Sequence, residues 1–340
     1  MFPDLAAFAD ALHDLPPANE AWRDAARARQ QQLTKPAGSL GRLEDCAIFL
    51  AGWGHQPEPR IDKARVIVFA GNHGVTARGV SPFPPDVTEQ MVANFAHGGA
   101  AINALAKACH VELEVVALSL DRPTGDISRE AAMGEDELLD ALNAGAMAIT
   151  KGGDVLAFGE MGIGNTTIAA ALAAKSLGGT GADWAGPGTG LDADGIARKA
   201  SVIDEALAYH AGFGESAAEI LRRLGGRETA AIAGAILAAR QKLIPVILDG
   251  YVVTASIAPL FKDNPAILDH CLAGHLSAEP AHRRLLDAFG IKPLLDLDMR
   301  LGEGTGATLA VAILRAAAAT HNQMATFAEA RVANRAAPSS

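Results

Sequence analysis

Residues 155–177 read VLAFGEMGIGNTTIAAALAAKSL, and this stretch decides the fold class. It opens with a short apolar run, Val155 to Phe158, long enough for one buried strand. Glycines then break the run, and from Thr166 to Leu177 apolar residues return at helical spacing. Strand, glycine turn and helix in that order form the repeating unit of an α/β protein. The alternation extends outward on both sides. Further strands are predicted at Val66 to Ala70, Val111 to Leu118 and Ile244 to Leu248. Helices are predicted at Ala100 to Ala108, Glu135 to Ile149, Ile196 to Tyr209 and Thr229 to Lys242. Strands of about five apolar residues alternating with helices predict a mostly parallel sheet with helices on both faces.

The two chain ends read differently. Ala18 to Leu33 and Leu43 to Trp53 are helical in pattern and are separated by the glycine turn KPAGSLG, Lys35 to Gly41. Residues 307–331 return to alanine-rich helix, and Ala336 to Ser340 are predicted to fray. With no internal repeat and no low-complexity linker, a second domain has to come from the ends folding together. The expectation is a small helical domain of residues 1–60 with about 307–335, beside a large α/β catalytic domain of residues 61–306.

Length and composition fit this picture. The chain has 340 residues, 35 of them glycine, with 5% aromatic and 20% charged side chains, which suits helices packed closely on a sheet. Its net charge is −10 and it has no run of Lys or Arg, so nucleic acid is excluded as a partner. The longest apolar stretches, such as Ala230 to Ala239 and Ala307 to Leu314, are about half a membrane span. The N-terminus has no basic region followed by an apolar run, so no membrane partner and no export are expected. Cys46, Cys109 and Cys271 are odd in number and far apart, which argues against a disulfide framework or a zinc knuckle and for the cytoplasm.

Four predicted strands or extended runs end in glycine-bearing turns: FAGNHG (Phe69 to Gly74), FGEMGIGNTT (Phe158 to Thr167), LDGY (Leu248 to Tyr251) and LGEGTGA (Leu301 to Ala307). In an open α/β sheet, ligands bind outside the carboxyl ends of the strands, where such turns gather. In the second turn Glu160 stands at the strand end, two glycines follow, and Asn165, Thr166 and Thr167 are placed to cap the next helix or to hold a phosphate. There is no Gly-Lys-Ser/Thr ending and no GxGxxG with a ribose-binding acid, so neither a Walker NTPase nor a dinucleotide fingerprint is supported. The same glycines would also serve close packing of helix on strand. GPGTGLD (Gly186 to Asp192), with Lys199 on the following helix, offers a concave run of N–H groups and a cation for an anion, or reads as a plain loop. Glu303, between two glycines, is presented as a general base whose pKa a partly dry pocket would raise. His73 in GNHG reads equally as functional or as a structural hydrogen-bond partner. His275, Glu279 and His282 resemble a metal triad, but Ser277, Glu279 and Pro280 read first as a helix start, so no metal is assigned. Gly134 to Asp140 reads as a solvated helix start. In SPFPPDVTEQM (Ser81 to Met91) the prolines exclude helix before Asp86, leaving a wall over a pocket with Ser81 and Gln90 as polar tips.

Together KPAGSLGRLE, AGNHGV with GVSPFP and VTEQM, GEMGIGNTT, GPGTGLD, ILDGYVVTASI, HLSAEPAH and LLDLDMRLGEGTGA resemble the nicotinate-nucleotide–dimethylbenzimidazole phosphoribosyltransferases, in the family's order, from about residue 35 to 315. The resemblance implies a Rossmann-like sheet with a small helical domain, a homodimer, and transfer of phosphoribose from nicotinate mononucleotide to 5,6-dimethylbenzimidazole in cobalamin synthesis. It implies no cofactor. By the same match Glu303 is the catalytic base. The implied substrate-binding set is Glu160, Gly162, Asn165, Thr166, Gly188, Thr189, Lys199, Ser277, Leu301, Gly302, Ser81 and Gln90. Two other readings fit the same loops: a phosphoribosyltransferase for another base or a phenol, and a non-catalytic sensor of nicotinate mononucleotide.

Overall fold

Five strands form one sheet in which every neighbouring pair runs parallel: β1 (Ala64–Ala70), β2 (Glu112–Ala117), β3 (Val155–Met161), β4 (Val246–Leu248) and β5 (Cys271–Ala273). The computed structural model describes residues 1–54 and 56–333, so the fraying expected at Ala336 to Ser340 lies outside the described residues. The strand order is β2-β1-β3-β4-β5. The chain therefore progresses one way from β1 to β2 and the other way from β1 to β3, and the gap between β1 and β3 is the point where the winding reverses.

Four strands lie where the apolar runs predict them, to within about two or three residues at each end. The fifth, Cys271–Ala273, has only three residues and no pattern of its own. Beyond it, β6 (His275–Leu276) and β7 (Leu295–Asp296) form a separate two-stranded parallel ladder. The run before LGEGTGA thus ends in this small ladder and not in the main sheet.

Both faces of the sheet are covered, as parallel pairing requires. Ile67, Phe69, Leu156 and Phe158 face one core, with Leu142, Ile168, Ile232 and Leu237. Val66, Val68, Val155 and Ala157 face the other, with Leu50, Phe95, Ile102 and Val311. The alanine and glycine content has a direct use on the first face. Helices Glu135–Ala148 and Arg227–Gln241 cross with their backbones in contact, because a Cβ at Gly145 would collide with the Ala231 carbonyl and one at Gly234 with the Leu142 carbonyl.

The ends meet on the second face. Helices Glu20–Gln32, Arg42–Trp53 and Thr305–Gln323 pack together, and Arg29 Nε donates to the His321 carbonyl at 2.8 Å. An unpredicted first helix, Leu5–His13, goes elsewhere: its Phe8 and Leu12 join the first core with Ile220 and Leu221. No helix among the described residues is long and apolar enough to cross a membrane.

Candidate active site

The turns after β3 and β4, with the loops at Gly188–Thr189 and Arg300–Gly302, converge on one cleft of about 620 Å³, its open mouth included. It sits beside the β1/β3 reversal, where Gly71 N donates to Met161 O at 3.0 Å and ties the two turns together. Of the twelve binding residues expected from the sequence, Glu160, Gly162, Asn165, Thr166, Gly188, Thr189, Ser277, Leu301 and Gly302 line it.

One wall is built from backbone and a single amine. Lys199 projects from helix Ala193–Tyr209 and is 1% exposed. Its Nζ donates to Thr166 Oγ1 at 3.0 Å and to the Gly186 carbonyl at 2.9 Å. Burial pushes its pKa down to about 8, with the nearby Glu279 pulling the other way. Gly188, at φ +54°, curls over this amine: a Cβ there would stand 3.2 Å from Nζ. Arg300 Nη1 donates to the Gly188 carbonyl at 3.2 Å, fixing the turn from the far side.

A second group of residues at the cleft is acidic. Glu160, at the end of β3, is 9% exposed and accepts from Asn165 Nδ2. Burial, reinforced by the charges of Asp249 and Glu228 and more weakly of Glu303, pushes its pKa up to about 8. No side chain caps helix Asn165–Leu177, so Asn165 serves the carboxyl group and Thr166 the amine. Asp249, at the end of β4, is fully buried and holds the start of helix Thr305–Gln323 by accepting from Gly304 N at 3.2 Å and Ala307 N at 2.9 Å. Burial raises its pKa, opposed by His275, whose Nε2 is 3.6 Å away.

Glu303 lies between these groups. It is 5% exposed, and burial with the charge of Asp249 raises its pKa while the Ile102 N–H opposes the rise. Its Oε2 has no hydrogen-bond partner. The backbone here is left-handed through three successive residues, Gly302 (φ +88°), Glu303 (φ +61°) and Gly304 (φ +80°). Glycine takes this conformation freely, but a glutamate held there is strained, and such strain collects at functional sites. The loop lies flat on β3, where a Cβ at Gly159 would collide with Gly304 N and with the Glu303 backbone.

A family model described as phosphoribosyltransferase matches residues 15–332. The nicotinate-nucleotide–dimethylbenzimidazole phosphoribosyltransferase of Novosphingobium aromaticivorans is 60% identical over 333 residues, covering 98% of this chain and 98% of that protein. The chain belongs to the nicotinate-nucleotide–dimethylbenzimidazole phosphoribosyltransferase family. The enzyme of the same name from Rhodobacter capsulatus is 54% identical over 331 residues, covering 97% of this chain and 98% of that protein. A crystal structure of the Thermus thermophilus enzyme of this name is similar with a TM-score of 0.85 and 41% identity, over 93% of this chain and 100% of that one.

Within this phosphoribosyltransferase fold the remaining expected residues fall into two groups. Lys199 and Glu303 are buried and absent from the cleft lining, each beside a residue that lines it. Ser81 and Gln90 do not line the cleft, and Gln90 is exposed. Their segment reaches the site through Thr88, on helix Val87–His97, whose Oγ1 accepts from Ile163 N at 3.1 Å. His73 is fully buried 2.8 Å from Glu228 Oε1. His282 Nδ1 accepts from Ser277 N at 2.9 Å and Nε2 lies 3.1 Å from Thr254 Oγ1, so both nitrogens are used within the fold. Asp249, Glu228, Thr88 and Arg300 are site groups that sequence reasoning did not single out. LDGY carried a signal for the first of them, an acidic residue ending an apolar strand.

Proposed function

We propose that this enzyme transfers the 5-phosphoribosyl group of nicotinate mononucleotide to 5,6-dimethylbenzimidazole, giving α-ribazole 5′-phosphate and nicotinate, with Glu303 as general base. The observation that carries the reading is a cleft lined by Thr166, Gly188, Thr189 and Glu160, with Lys199 buried behind Thr166 and Glu303 buried beside the lining Gly302. The relatives named above carry this activity in their names.

The cradle holds the 5′-phosphate through backbone N–H groups and the Lys199 ammonium. One azole nitrogen attacks the anomeric carbon from the face opposite the nicotinate, so the new C–N bond forms as the old one breaks and the β-nucleotide becomes the α-product. The electron pair of the breaking bond neutralises the pyridinium, which leaves as nicotinate. Positive charge on the azole is discharged as its other nitrogen gives its proton to Glu303, a contribution of about 10² to 10⁴ in rate. The leaving group is already cationic, so the step as written takes neither metal nor cofactor. Glu160, protonated at neutral pH, donates a hydrogen bond to the sugar or the nicotinate. Leu301, Gly302, Ser277 and Asn165 shape the pocket around both rings, with Ser81 and Gln90 on the benzimidazole side. Holding the two substrates in line supplies the remaining acceleration.

The proposal includes a cytoplasmic homodimer, with residues 1–60 and about 307–335 as a small helical domain against 61–306, apart from helix Leu5–His13, which packs into the core of the large domain. Incubating the purified protein with both substrates and measuring released nicotinate tests the reaction. Release dependent on the benzimidazole supports it; no release with that base, with other azoles or with phenols overturns it in favour of a sensor.

A further inference from the structure

Glu279 stands at the N-cap of helix Pro280–Phe289, where an acidic side chain ordinarily accepts from the first N–H groups of its own helix. It makes no such bond. The side chain turns to the loop of Gly186 to Gly188 instead: a Cβ at Gly186 would collide with Oε2, and the Gly188 N–H is directed at the carboxylate. Lys199 and Arg300 are the cations that face it, and each also donates to a carbonyl of this loop. The residue lines the cleft yet is only 5% exposed, and Oε1 has no hydrogen-bond partner. An unpaired buried acceptor is destabilising and calls for an explanation beyond stability.

We propose that Glu279 is a resident counter-anion of the phosphate cradle, holding the Gly188 N–H and the Lys199 charge that the 5′-phosphate also uses, so that competition between the two anions sets the affinity for the mononucleotide. The inference rests on the reading of Thr166, Gly188, Thr189 and Lys199 as a phosphate site. A dianionic phosphate entering this cradle meets the carboxylate as a like charge or displaces it from the Gly188 N–H. The reaction gives the device a use. Substrate and product are both phosphate monoesters, so binding common to both slows release as much as it aids capture, and an anion that retakes the cradle speeds departure.

The test is calorimetric titration of wild type, Glu279→Gln and Glu279→Asp with inorganic phosphate, beside the KM for nicotinate mononucleotide. Glu279→Gln keeps the shape and removes the charge, and it is expected to bind phosphate about tenfold more tightly, with KM falling in parallel. Structural damage would weaken binding, so tightening is a readout a merely structural role does not give. Glu279→Asp withdraws the charge by one methylene and is expected to tighten binding about threefold, which keeps the test available if the glutamine variant does not fold. Unchanged or weaker phosphate binding in a folded variant overturns the proposal. Nicotinate release by the wild type is scored separately: tightening without release would sink the transferase reading while leaving this one intact.

Discussion

On the proposed phosphate wall of the cleft, Gly188 and Thr189 offer backbone, and the amine of Lys199 is held by a hydroxyl and a carbonyl at 3.0 and 2.9 Å. In a second, acidic group Glu160 lines the cleft and Asp249 and Glu303 are buried behind it, with His275 beside Asp249 as the nearby basic group. As proposed, the first wall would hold an anion by local N–H groups and the Lys199 ammonium and not by the overall field of a protein of net charge −10. The second raises its own proton affinities by crowding like charges away from water. Binding and chemistry are thus assigned to different walls, and substitutions on each should disturb different kinetic constants.

The largest expected effect is on the acidic wall. Glu303→Gln keeps the size and the left-handed position but abolishes the base, so kcat should fall about 10² to 10⁴-fold with KM for nicotinate mononucleotide within about threefold. Stopped-turnover nicotinate release measures both, and a near-normal kcat would remove Glu303 from the role.

Lys199→Ala probes the other wall. It removes the ammonium and leaves the Gly186 carbonyl and Thr166 hydroxyl unpaired, so KM for the mononucleotide should rise about 10 to 100-fold while the benzimidazole KM stays near its wild-type value. A change confined to the benzimidazole would place the phosphate elsewhere.

Acidity separates the walls next. As the proposed base Glu303 acts ionised, and its pKa is raised, so kcat/KM should fall as pH drops through that pKa. In the proposed roles Glu160 keeps its proton and Lys199 its charge, and burial brings both pKa values to about 8. The alkaline limb should therefore fall with a slope near two. Glu160→Gln is expected to lose less than about tenfold at pH 7 and to reduce that slope to one. An unaltered slope would show that Glu160 does not contribute to the limb.

The same contrast explains what the sequence discloses. The glycine turns are legible: GEMGIGNTT and GPGTGLD announce themselves by their glycines, and Glu160, Thr166, Gly188 and Lys199 follow from reading them. The contacts that brace these turns span long separations, as when Arg300 reaches the Gly188 carbonyl across 112 positions. Asp249 meets the backbone of Ala307 across 58 positions, and Thr88 meets Ile163 across 75. No periodicity reports such pairings, so Asp249 passes as one residue of a turn and Thr88 as one of a helix. Strand β5 escapes for a related reason, since its three residues are ordered by their neighbour β4 and not by a pattern of their own.

Thr88→Val offers the smallest and most pointed check of that long-range assembly. The substitution keeps the shape and removes the oxygen that accepts from Ile163 N at 3.1 Å, in a residue that is 0% exposed. An unpaired buried N–H costs about 1–3 kcal/mol, which in a protein of this size lowers Tm by a few degrees. Ile163 belongs to the turn that carries Glu160 and Gly162, so the loosened turn should raise KM for nicotinate mononucleotide about threefold with kcat nearly unchanged. Thr88→Ser restores the acceptor and should recover KM even if it does not recover Tm, because the hydroxyl sets the turn whereas the methyl group only fills space. Failure of serine to recover KM would mean that helix Val87–His97 braces the site by packing alone.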